Sequence, residues 1–154
     1  MSVRGRQRGI TTVEFALIGL IALVTLFAVV EVARVFFVFN ALEEATRRGA
    51  RVAAVCQVND PAIAQIASFT ASGTGVVGGL SPANIAVDYL DSAGNLLGNP
   101  MGAYGAINYV RVRIVNYTHQ LLIPLFVLSI PVPAFPATVP RESLGVWPGG
   151  FSPC

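Results

Sequence analysis

Glu14 is the only charged residue between Ile10 and Val30. A carboxylate in so apolar a stretch has two uses. It can reach out to lipid headgroups, or it can pair with a cation brought to it. Left unpaired at the centre of a bilayer helix it costs about 2.5–3.5 kcal/mol, and less near an interface. Other residues able to do chemistry are few: Cys56 and Cys154, the single His119, and Asp88 with Asp91. One histidine and two distant cysteines do not make a zinc centre of any usual spacing. There is no G-x-S-x-G elbow, and GTGVVGG at 73–79 lacks the lysine and the preceding strand of a phosphate loop. Asp88 and Asp91 flank a strand end and suit a turn better than an acid–base pair. His119 reads as an ordinary surface or boundary residue. The expectation is therefore a protein that is not an enzyme and has no cofactor and no metal, whose working chemistry is ion pairing and thiol oxidation.

The carboxylate is positioned by a helix. From Ile10 to Val30 the chain would rise roughly 30 Å, enough to cross a bilayer core. Arg4, Arg6 and Arg8 precede the run and, by the positive-inside rule, hold that end in the cytoplasm. A secretory signal would end in a small-residue cleavage site. Here the run passes without a turn residue into EVARVFFVFNALEEATRRGARVAAV, where Leu42, Ala45, Gly49 and Val52 share one helical face. Glu43 with Arg47, and Glu44 with Arg48, are spaced for ion pairs worth a few tenths of a kcal/mol each. Glu31 and Arg34, three apart, can shield each other near the outer membrane surface. Gly49 costs a helix interior about 1 kcal/mol against alanine, so another element should pack closely there. The division expected is 1–9 leader, 10–31 transmembrane helix, 32–56 amphipathic extension of the same helix, and 57–154 an extracytoplasmic domain.

In that domain NDPAIAQIASFTAS reads as a second helix, capped by Asn59 or Asp60, with Pro61 in its first turn and Ile63, Ile66, Ala67 and Thr70 on its apolar face. NIAVDYLD alternates as a strand with Ile85, Val87 and Tyr89 on one side, and DSAGN is a hairpin-type turn. INYVRVRIVNY is the clearest strand, with Val110, Val112, Ile114 and Tyr117 set against Arg111, Arg113 and Asn116. LLIPLFVLSIPVP is too short and too proline-broken to span a membrane, and is expected to be a short helix or buried turn on the domain. FPATVPRES supplies an edge strand, and the tail GVWPGGFSPC should have little hydrogen-bonded structure of its own. The fold class is α+β: a long membrane-spanning helix continuing into a small domain with an antiparallel sheet.

The ten basic residues are all arginine and form no stripe interleaved with aromatics, so no nucleic acid is expected as a partner. If the domain lies outside the cytoplasm, Cys56 and Cys154 are most simply one disulfide; the alternative is a buried free Cys56 and an unrelated thiol at Cys154.

RGITTVEF resembles the processing site of type IV prepilins: a basic leader, a glycine, four apolar or neutral residues, a glutamate, and an aromatic, here Phe15, heading an apolar helix. The nine-residue leader and the Glu-aromatic pair look most like the Tad (Flp, type IVb) branch. RGITTVEFALIGLIALVTLF, FNALEEATRRGARVAAV and VPRESLG together resemble the TadE-like pseudopilins or minor pilins of that system, strongly over 8–55 and faintly in the middle of the chain. Ile10 at the first mature position departs from the usual pattern.

That resemblance implies a pilin-like domain and cleavage between Gly9 and Ile10 by a prepilin peptidase. It also implies the membrane and the other pilins and pseudopilins of the Tad apparatus as partners. Cleavage would place an amine on Ile10, and a neighbouring subunit's amine is the cation that Glu14 lacks. The other reading is an uncleaved, membrane-anchored periplasmic binding or adaptor domain. In both, the protein sits once through the inner membrane with its N-terminus in the cytoplasm.

Overall fold

The computed structural model describes residues 8–71, 73, 75–123 and 126–154. The arginines at 4 and 6 and the proline at 124, used in the sequence reading, lie outside them. Helix α1 runs unbroken over Arg8–Val55, 48 residues and about 72 Å long. Every residue from Gly9 to Val30 is exposed. Further along, Val38, Leu42, Ala45, Gly49, Ala53 and then Cys56 recur at three- and four-residue steps and are buried. One half of the helix thus lacks any cover from the domain, and the other half is the domain's spine.

The core forms against that spine. A short helix α2, Pro61–Ala67, lies across it. Asp60 is its N-cap, accepting from the Ala62 amide at 2.8 Å, and Pro61 fills the first turn. The helix stops at Ala67 rather than running on to residue 72 as expected, because Phe69 adopts a left-handed conformation (φ 61°). Three antiparallel strands follow in the order β1 (Ile85–Leu90), β2 (Tyr109–Ile114) and β5 (Ala137–Pro140). β2 is central and its Val110, Val112 and Ile114 face α1 as the alternation predicts. β5 takes the proline-flanked edge.

Gly49 explains how closely these layers approach. A Cβ there would lie 2.8 Å from the Cβ of Ala67 and 3.1 Å from Cγ1 of Val112. The helix, α2 and the central strand meet at the one residue with no side chain.

LLIPLFVLSIPVP is neither helix nor buried turn. It forms a separate hairpin, β3 (Thr118–Ile123) against β4 (Phe126–Pro131), with His119 opposite Ile130 and Leu121 opposite Leu128. A mostly apolar stretch carries no clear period by which strand and helix can be told apart. The hairpin leaves the three-stranded sheet and lies beside α1.

The segment Arg141–Gly145 closes the C-terminal end of α1. The amides of Glu142 and Leu144 donate to the Ala54 carbonyl at 3.1 Å each, and that of Gly145 to the Val55 carbonyl at 2.6 Å. Helix carbonyls that have no partner within the helix are thereby satisfied from 88 residues away or more. Gly145 (φ +74°) has no room for a side chain: a Cβ would sit 2.7 Å from the Gln57 nitrogen. The tail is also more ordered than expected, with Val146–Trp147 (β6) paired to Gly150–Phe151 (β7) and the Phe151 ring against Tyr104 at 5.3 Å.

Candidate functional site

Gly9, Ile10, Glu14 and Phe15 occupy the free end of α1. Ile10 and Glu14 are four apart and share a helix face. Glu14 is exposed and Phe15 is 79% exposed. Among the described residues, and apart from its own helix backbone and chain neighbours, nothing lies within 4 Å of where a Gly9 Cβ would be, so they place no steric demand for glycine there. The contrast with Gly49 and Gly145, both enclosed, is direct.

Cys56 and Cys154 lie at the opposite end, roughly 60 Å along the helix axis from Glu14. They form a disulfide with a Cα–Cα distance of 5.6 Å across a sequence separation of 98. Asp60 anchors the same corner: one carboxylate oxygen caps α2 and the other accepts from the Cys154 amide at 2.8 Å. The sequence-derived residues therefore form two sites, a bare helix tip and a cross-linked domain corner, and nothing brings them together.

A third cluster joins α1 to the hairpin. Glu31 accepts from the Leu122 amide at 3.0 Å and from Arg34 at 3.3 Å. Arg34 donates onward to the Gln120 carbonyl, and its guanidinium lies 3.4 Å from Nε2 of His119. His119 is 5% exposed, not the surface or boundary residue expected. Burial and then the Arg34 charge push its pKa below the ordinary histidine value, against a smaller upward pull from Glu31. The i,i+3 pair at 31 and 34 was visible in the sequence; its partners, 85 to 91 residues on, were not.

The remaining charges are structural. Asp88 lies within β1 rather than at its end. It receives Arg111 from the facing strand position at 2.9 Å and Arg113 at 2.9 Å. Burial raises its pKa, but the two arginines outweigh that and hold it below the usual carboxylate value. Asp91 caps the turn as expected, accepting from Ala93 and Asn95 at 2.8 Å. Glu43 pairs with Arg47, while Arg48, expected to pair with Glu44, lies over the Phe69 ring at 5.6 Å.

Residues 9–51 match the family model of TadE, described as TadE-like protein. The matched segment begins at Gly9 and stops before Cys56 and the sheet. It supports a TadE-like protein of the Tad pilus system. No curated protein and no solved structure matches the chain.

Proposed function

We propose that this TadE-like chain is a minor pilin or pseudopilin that acts in the assembly or structure of a Tad (Flp)-type pilus. α1 anchors it once through the inner membrane, with the N-terminus cytoplasmic and the sheet domain outside, where a disulfide can persist. The observation that carries the reading is the tip of α1: a glycine free of any steric demand from the fold, five residues before the one carboxylate of an uncovered apolar helix.

In this reading the chain is not itself a catalyst but the substrate of a prepilin peptidase. Hydrolysis of the Gly9–Ile10 bond leaves a carboxylate on Gly9 and an amine on Ile10, protonated at neutral pH. Glu14 offers that amine a counter-charge on a neighbouring subunit. Pairing removes the cost of a carboxylate in lipid and favours one axial stagger between adjacent helices. The partners are the membrane, the peptidase and other pilins or pseudopilins, and not nucleic acid.

Mass spectrometry of protein extracted from its native membrane tests the processing step. A chain beginning at Ile10 supports it, together with retention of the full-length form when Gly9 is replaced by a bulky residue. A wild-type chain that keeps its leader would favour the uncleaved adaptor instead.

A further inference from the structure

The hairpin contains no charged residue: from Gln120 to Pro140 the chain has none. Strands with open edges are normally blunted by charge. Here Leu122 is 72% and Leu128 52% exposed, and because they belong to different cross-strand pairs, one at 122–127 and the other at 121–128, they lie on opposite faces of the hairpin. Between hairpin and helix is a groove of about 490 Å³, walled by Val24, Phe27, Phe36, Leu121, Leu122 and Ile130, with Glu31 also in its lining.

Two further facts bear on the height of this surface. The groove's helical wall begins at Val24, roughly 9 Å before the end of the apolar run at Val30. Elements that lie in a membrane interface are immersed by about 5–10 Å. The backbone groups of β3 nearest α1, the Leu122 amide and the Gln120 carbonyl, are taken by Glu31 and Arg34. An unpaired backbone group could not enter the acyl region; these two are paired, whereas among the described residues β4 has no strand beyond it, so the hairpin backbone stays at the interface and only side chains reach the acyl chains.

We propose that the β3–β4 hairpin is a second membrane contact. The side chains of Leu122 and Leu128 and the lower groove wall, Val24, Phe27 and Leu121, are covered by phospholipid acyl chains of the outer leaflet, with Glu31, Arg34, His119 and Gln120 at headgroup level. The proposal rests on α1 being the membrane anchor. It makes the domain ride at a fixed height and rotation on the bilayer, rather than standing off on a bare helix.

The test uses the full chain in vesicles of phosphatidylcholine and phosphatidylglycerol, with Trp147→Phe removing the native indole. Leu122→Trp and, separately, Leu128→Trp report on the hairpin, and Leu20→Trp reports on the anchor. All three sites are exposed and accept the larger ring. The expected result is a blue-shifted emission from positions 122 and 128, quenched by lipids brominated in the upper acyl chain and protected from aqueous iodide. Position 20 should be quenched by lipids brominated near the chain ends. Quenching at 20 with iodide access at 122 and 128 overturns the proposal and leaves the anchor standing. No quenching at 20 removes the anchor and the proposal with it. Protection at 122 from both bromine and iodide means that a second copy covers the surface, and also overturns it.

Discussion

The amide of Leu122 donates to the carboxylate of Glu31 at 3.0 Å, tying the edge of a hairpin to a helix 91 residues earlier. Glu31→Ala removes that acceptor and leaves Arg34 without its carboxylate. Losing one partner of such a bond costs about 1–3 kcal/mol. Amide exchange in β3 should accelerate by about tenfold or more while β2 is unaffected. Unchanged exchange at 118–123 would show that packing alone holds the hairpin.

Lowering the pH should loosen the same junction. The pKa of His119 is depressed in the fold, so the unfolded state binds a proton more readily. Its contribution is complete above the unfolded value of about 6.5 and is lost as pH falls from there toward the folded value. Of the charged groups facing it, Arg34 opposes protonation and Glu31 favours it. Melting temperature measured between pH 8 and pH 5 should fall, and His119→Gln should flatten that part of the curve. A slope that survives the substitution assigns the effect to other groups.

Gly49→Ala should destabilise although alanine is the better helix former by about 1 kcal/mol. The new methyl meets the Ala67 Cβ, which cannot rotate away, and the Val112 side chain. Overpacking of this kind costs about 1–3 kcal/mol. A raised melting temperature would refute the three-way contact.

Cys154→Ser opens a loop spanning 98 residues. The chain-entropy account puts the loss at up to about 4–5 kcal/mol. Denaturant unfolding should show most of it, and limited proteolysis should find the 146–154 segment newly sensitive. Two freely reacting thiols in unreduced native protein would show that the bond is absent.

Glu14→Gln should leave cleavage and insertion intact but weaken association with partner pilins by about tenfold or more, the worth of a charged hydrogen bond at its lower end. Normal pilus assembly and unchanged co-purification would remove the pairing role.

Much of the architecture was legible because it is local. The long helix follows from an apolar run that passes on without a turn, and β2 from the alternation, imperfect by Tyr117, around Arg111 and Arg113. Gly49 was legible as well, since a glycine in a helix interior calls for a close neighbour. The hairpin was not, because an apolar stretch interrupted by prolines shows neither a strand nor a helix period. The role of His119 depends on an arginine 85 residues away, and the cap on α1 depends on Leu144 taking a left-handed turn (φ 47°) that its residue type does not announce. At the helix tip the residues were readable, but among the described residues Gly9 and Glu14 meet nothing that accounts for them.

The disulfide also decides how this protein bears tension. Cys154 is bonded to Cys56 at the end of α1, so residues 57–153 form a closed side loop off a covalent line that runs from the helix straight to the tail. A pull applied between the anchor and Cys154 itself would pass through one S–S bond, with the strand ladders and helix α2 outside the load path. The domain can be towed by its two ends without being unzipped.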